Sequence, residues 1–270
     1  MASIATAVLD IKQLDLLARV DSPIHRLDAR AKVLVTIIFC STIISFGRYE
    51  LSALLPFFVF PAAMIARGNL PPLLIARKIA LLCPFVLIVA IFNPILDRGI
   101  GVQLGPVAIS AGWLSFSSIL VRSILTVGAG LILVGVTGFT SICRALEKFG
   151  IPQAFAVQLL FLYRYIFVLA EEGNRVSRAR ELRSCGKNGL GITSYGSMIG
   201  YLLLRTWDRA ERIHMAMLAR GFRGDFLTLQ TSSFGSAEVV YITGWTLVFL
   251  LMRFVNCSHL IGQLLTGVIL

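Results

Sequence analysis

Through the first half of the chain, long stretches without a single Asp, Glu, Lys or Arg fall at 33–47, 51–66, 79–96, 99–121 and 123–143. A helix needs ~20 apolar residues to cross the hydrocarbon core of a bilayer, with a range of ~17–25. The last three stretches are long enough. The first two are short, so their polar flanks must snorkel or lie at the interface. Composition excludes the main competitor, a large soluble core. Charged residues are 14% and apolar residues 57% of the 270, and fourteen acidic residues are thin cover for a water-facing surface, where about a quarter of a soluble domain is charged.

The net charge of +11 suits either nucleic-acid binding or the cytoplasmic face of a membrane. The arginines lie between apolar runs and not in an aromatic-interleaved patch, which favours the membrane face and no nucleic acid. Positive charge also orients the spans. Segment 67–78 carries Arg67, Arg77 and Lys78 with no acid, so it is read as cytoplasmic. The 48–50 and 97–112 loops are charge-balanced (Arg48 with Glu50, Asp97 with Arg98) and are read as external. The N-terminus then lies inside. A fourth helix near 117–138 returns inward and delivers Arg144 and Lys148, while Arg122 snorkels at its outer end. A last span is expected near 238–254. The first thirty-two residues mix four aspartates with five basic residues and show no cleavable signal pattern.

The segment 153–222 is different. It opens on apolar QAFAVQLLFLY and then turns basic: 171–224 holds ten Lys and Arg against five acids. It is expected at or below the cytoplasmic surface. The expected fold is therefore an all-α membrane protein of about five transmembrane helices plus a cytoplasmic region of long helices. Its parts are an N-terminal transmembrane region 1–152, a cytoplasmic region 153–225, and a C-terminal helix and tail 226–270.

That region contains an internal repeat. Setting NRVSRARELRS (174–184) above ERIHMAMLARG (211–221) aligns Arg175 with Arg212, Val176 with Ile213, Ala179 with Ala216, and Arg183 with Arg220, at a constant offset of 37. Leu203, Thr206, Ala210, Ile213, Met217 and Arg220 follow one helix stripe. The same offset selects Ile166, Leu169, Gly173, Val176, Arg180 and Arg183. The small residues Gly173 and Ala210 would let the two helices cross closely, with Val176, Arg180, Ile213 and Met217 beside the crossing. The pairs Glu171–Arg175 and Asp208–Arg212 are spaced to support each helix. Each copy ends in an arginine followed by small residues. Complementing the helix dipole would account for one such arginine. Two matched arginines at the ends of long polar helices point further, to guanidinium docking on a partner's carboxylates or carbonyls.

At these residues the sequence resembles the CbiQ/EcfT family, the transmembrane T component of energy-coupling factor (ECF) transporters. Ala219-Arg220-Gly221 matches the second of the family's two Ala-Arg-Gly motifs; Leu182-Arg183-Ser184 occupies the first, keeping the arginine and departing at both flanks. SPIHRLDARAKVL (22–34) resembles the family's N-terminal lead-in, and Phe149-Gly150-Ile151-Pro152 the approach to its coupling region. SFGRYELSALLPF (45–57) looks most like the cobalt-type CbiQ subgroup. The resemblance implies a non-catalytic coupling subunit in the bacterial cytoplasmic (inner) membrane. Its partners would be two ABC-type ATPases and a substrate-binding membrane subunit with a small accessory membrane subunit, importing cobalt or nickel. The six motif residues would dock on the ATPases, which would bind the ATP. A Gly/Ser run (Gly186, Gly189, Gly191, Ser194, Gly196, Ser197) between the copies is either a hinge or an ordinary loop.

Other chemistries lack their residues. No GxxxxGK[ST] loop is present, and GAGLILVG (128–135) lacks the lysine, so its glycines are read as packing residues. His25, His214 and His259 have no ligand spacing, so no metal site or other cofactor is expected in this chain. Cys40, Cys83, Cys143, Cys185 and Cys257 form no CxxC. Glu171 and Glu172 are adjacent and face different directions on a helix, so they are no catalytic pair. A stand-alone secondary carrier and a membrane scaffold are the alternatives; carriers usually show inverted repeats with polar residues at mid-membrane.

Overall fold

The computed structural model describes residues 13, 15–18, 20, 22–47, 50–96, 100–104, 107–183, 192–224 and 234–254. In chain order these form α1 (Ala29–Ile44), α2 (Leu51–Leu54), a 3-10 turn (Leu55–Phe58), α3 (Val59–Gly68), α4 (Pro72–Leu96), β1 (Ile100–Leu104), β2 (Val107–Ser110), α5 (Ala111–Thr137), α6 (Phe139–Lys148), α7 (Gln153–Arg183), α8 (Ile192–Ala219) and α9 (Ser236–Phe254). The chain divides into two compact units. Asp15–Gly138 joins Ser232–Leu270 in a core unit, and Met1–Leu14 joins Phe139–Thr231 in a paired-helix unit.

In the core unit, Asp28 caps α1 by accepting the Arg30 N–H at 3.0 Å. Ala31, Val35, Phe39 and Ile43 recur every fourth residue and are all fully buried. Pro56 and Pro61 each lack an N–H, so the next span is broken into α2, a 3-10 turn and α3. Phe60 and Phe249 meet Phe39 at ring-centroid distances of 4.5 and 5.3 Å, and Trp245 meets Phe60 edge-on at 4.9 Å. This cluster ties α1, α3 and α9 together.

Polar contacts hold both ends of the α1–α9 pair. At one end the Asp28 N–H reaches Glu238 Oε1 at 3.4 Å, and Lys32 Nζ donates to the carbonyls of His25 and Val136 at 3.3 and 3.5 Å. At the other, Arg253 donates to the Ser45 carbonyl at 3.1 Å and stacks over Phe46 at 4.3 Å. The two helices are therefore parallel, and α9 ends on the side of the α1–α2 loop. Arg122 snorkels to that same loop, donating to the Gly47 carbonyl.

Two expectations are corrected here. The segment read as a Gly-rich loop holds the antiparallel hairpin β1–β2, whose Ile100-Gly101-Val102 and Val107-Ala108-Ile109 alternate toward strand composition. The helices long and apolar enough to cross a membrane are Leu51–Gly68, Pro72–Pro94, Gly112–Thr137, Gln153–Arg183 and Ser236–Phe254. Their number matches the expectation and four of them are the expected spans, but Gln153–Arg183 takes the place of the expected span at 33–47. At 16 residues, α1 spans about 24 Å of a ~30 Å core, while the apolar opening of α7 qualifies although 153–222 was expected to stay at the surface. Of the glycines of 128–135, Gly128 and Gly135 lie against neighbours and Gly130 does not. A Cβ on Gly128 would meet Ile79 at 3.4 Å and one on Gly135 would meet Leu70 at 3.5 Å.

Candidate functional site

The site is built on α7 and α8, both in the paired-helix unit. The turn before α7 fixes where it starts. Gly150 has φ +98° and donates to Glu147 at 3.0 Å, while Ile151 donates to Leu146 at 3.3 Å. This is the left-handed glycine cap that closes a helix with paired backroads of hydrogen bonds from the two following residues. Pro152 then prevents α6 from continuing, and its carbonyl accepts from Phe155 at 2.9 Å. Tyr163 stacks on Phe139 at 4.7 Å, setting α6 against α7.

α7 and α8 run antiparallel. Arg205, in the first half of α8, reaches Glu172, in the second half of α7, at 2.7 Å. Farther along, Phe161, Tyr165, Val168 and Leu169 of α7 share an open groove of about 460 Å³ with Leu203, Thr206, Trp207, Arg209, Ala210, Ile213, His214 and Met217 of α8. Early α7 thus faces late α8. The C-terminal ends of the two helices, with Arg183 on one and Arg220 on the other, point away from each other along the pair.

The end of α8 has a defined cap. Gly221 has φ +79° and donates to Leu218 at 3.0 Å, and Phe222 donates to Met217 at 3.0 Å. Arg220 is the last residue before the left-handed glycine. A side chain at position 221 would be strained there, which explains the glycine of Ala219-Arg220-Gly221. All three of these residues are exposed. On α7, Leu182 is 82% exposed and Arg183 is exposed at the last helical residue. Ser184 lies outside the described residues, as do Gly186, Gly189 and Gly191 of the Gly/Ser run. Ser194, Gly196 and Ser197 belong to α8 and not to a separate hinge.

The stripe expected on α8 is the one the structure uses: Leu203, Thr206, Ala210, Ile213 and Met217 all line the groove. On α7 only Leu169 of the corresponding stripe does so. Val176 and Arg180 are half-buried and lie outside the groove. A Cβ on Gly173 would meet nothing within 4 Å, so no close backbone approach is made there. Equivalent-position crossing would set Gly173 against Ala210. Instead Ala210 lines the groove together with Phe161, Tyr165 and Trp207. The expected Glu171–Arg175 pair is replaced by Arg175–Glu172 at 3.2 Å, because Glu171 is exposed and Glu172 is buried.

Sequence reasoning missed the Glu172–Arg205 pair: Arg205 was only counted as a charge, and Glu172 was weighed only as half of a catalytic pair with Glu171. The available signal was a carboxylate placed where the apolar half of α7 gives way to its polar half. Among the described residues, no group of three or more His, Cys, Asp or Glu side chains is placed to hold a metal ion.

The model of the CbiQ family, described as cobalt transport protein, matches residues 21–232. That range includes both arginine ends and most of the core unit. The chain belongs to the CbiQ family. Three relatives illustrate the range. An uncharacterized protein of Methanocaldococcus jannaschii is 30% identical over 37% of this chain and 38% of its own length. The energy-coupling factor transporter transmembrane protein EcfT of Heliobacterium modesticaldum is 27% identical over 76% of this chain and 81% of its own. The cobalt transport protein CbiQ of Rhodobacter capsulatus is 28% identical over 38% of this chain and 43% of its own. The chain thus spans well under half of the first and third of these and four-fifths of the second. A multi-pass membrane protein of the CbiQ family is what the family match and the five apolar helices together support.

Proposed function

We propose that this CbiQ-family chain is the membrane-embedded coupling subunit of an ECF-type importer for cobalt or nickel ions. It sits in the bacterial inner membrane with its N-terminus and both arginine ends cytoplasmic. The observation that carries the reading is the placement of Arg183 and Arg220, exposed at opposite ends of one antiparallel helix pair. Two widely separated cationic tips suit two docking partners, each offering carboxylates or helix-end carbonyls to a guanidinium. We assign those partners as two ABC-type ATPases. A substrate-binding membrane subunit, aided by a small accessory one, completes the importer.

The mechanism follows from stiffness. A helix keeps its length because each backbone N–H is bonded four residues back, so displacement at a tip moves the whole rod. ATP binding and hydrolysis in the partners move the tips, and the rods carry that motion to the substrate-binding subunit. This chain contributes docking and transmission; the ATP chemistry belongs to the ATPases. The choice of cobalt is supported by the family's description and by the name of the Rhodobacter relative; nickel rests on the subgroup resemblance alone.

Replacing both arginines tests the reading. Arg183→Glu with Arg220→Glu should abolish ATPase capture and ion uptake while the protein still inserts in the membrane. Full capture and uptake by that double variant would refute it.

A further inference from the structure

We propose that the Glu172–Arg205 ion pair is the pivot about which α7 and α8 turn, and that Glu172 and Arg205 are positioning residues for coupling. The inference rests on the coupling-subunit reading above.

Glu172 is an unusual residue to bury. Its side chain is 6% exposed, although Glu171 before it and Arg175 one turn ahead are exposed. A buried carboxylate needs partners, and a carboxylate that loses one is left uncompensated. Glu172 has two. Arg175, one turn ahead on the same helix, lies at 3.2 Å, and Arg205 reaches it from the facing helix at 2.7 Å. Arg205 is itself held in place by its bond to the Tyr201 hydroxyl at 3.2 Å. Both sides of the junction are therefore anchored to their own helices before they meet.

Beside it, the two helices meet across apolar side chains around an open groove. Apolar contacts are non-directional and permit sliding. A charge-assisted bond at 2.7 Å is short and directional. The junction is thus suited to remain fixed while the flanking surfaces shift.

Its position sets two arms. Arg183 lies 11 residues beyond Glu172 and Arg220 lies 15 beyond Arg205, or about 16 and 22 Å at ~1.5 Å per residue. Because the helices are antiparallel, the arms extend in opposite directions. Equal rotations of the two rods would carry Arg220 about 1.4 times as far as Arg183 on the same rise per residue.

The test uses the full complex with its ATPases and substrate-binding subunit in liposomes, with cobalt(II) and nickel(II) uptake assayed separately. Glu172→Gln and Arg205→Gln should each retain ATPase capture and ATP hydrolysis, but lower ions imported per ATP at least tenfold. A Glu172→Cys/Arg205→Cys pair, in a background without the native cysteines, should show the same loss. Joining it with a short bis-maleimide should restore imported ions per ATP. Three results would overturn the pivot: unchanged uptake per ATP in Glu172→Gln, loss of ATPase capture in that variant, or no restoration of uptake on tethering. Tethered and untethered samples share one fold, so a folding defect in the Gln variants leaves the comparison intact. Charge reversal at Arg183 and Arg220 is expected to remove capture, whereas Glu172→Gln is expected to keep it, so the two readings fail in different measurements.

Discussion

In the core unit, Phe39, Phe57 and Phe249 are enclosed on all sides, and one aromatic cluster binds α1, α3 and α9. In the paired-helix unit, Leu203, Leu204 and Trp207 are 65%, 69% and 71% exposed, and two aromatic residues of α7 face an open groove. The core unit encloses an aromatic centre where its helices cross, while its outer faces stay apolar and open, with Leu73, Leu81 and Phe85 exposed. The paired helices bury no aromatic residue among the described residues, and carry most of their charges from Glu171 onward in α7 and from Arg205 onward in α8. Stability should therefore concentrate in the first region and coupling in the second.

The largest effect is expected where the core is tightest. Phe39→Ala should destabilise the protein by about 3–5 kcal/mol, the usual loss for truncating a buried aromatic, measured by thermal unfolding in detergent. Trp207→Ala should shift stability by less than ~1 kcal/mol, as for an exposed residue, while still lowering uptake. If Trp207→Ala proved the more destabilising of the two, the contrast between the units would break.

A smaller effect should appear at the capped end of α8. Gly221→Ala forces a side chain into φ +79°, which costs about 1–2 kcal/mol, and should weaken ATPase capture with Arg220 still present. Single arginine deletions should follow. Arg220 is fixed by the glycine cap, and Arg183 is followed by serine. Arg220→Ala should reduce capture about tenfold, the equivalent of ~1.4 kcal/mol, and Arg183→Ala by less. Equal losses, read by co-purification at matched expression, would remove the ranking. Smallest of all should be Arg122→Lys. Lysine can still snorkel to the Gly47 carbonyl, so uptake and thermal stability should stay close to wild type.

Much of this was visible in the sequence, for local reasons. Uncharged runs mark apolar helices whatever they pack against. Gly221 reports a left-handed turn because few other residues adopt one. The α8 stripe from Leu203 to Met217 was legible because one helix face is a property of one segment. What failed depends on pairing. A repeat in sequence predicts two similar helices but not their register, so Gly173 was set opposite Ala210 when Arg205 instead finds Glu172. Tyr165 and Trp207, unremarkable in each helix alone, line the groove between them. The hairpin at 100–110 was hidden by its glycines. The misassigned span had the same origin as the register error: charge density averaged over 153–222 masked the apolar half of α7.

The central claim is that the arginine ends move with the state of the ATPases. Spin labels at Leu182→Cys and Ala219→Cys, in an otherwise cysteine-free chain, would report the separation of the two ends, expected to be up to about 40 Å from the helical rise. Measured in the assembled complex, that separation should change when ATP replaces the nucleotide-free state and should return after hydrolysis. A single unchanged distance distribution in all three states would contradict the account.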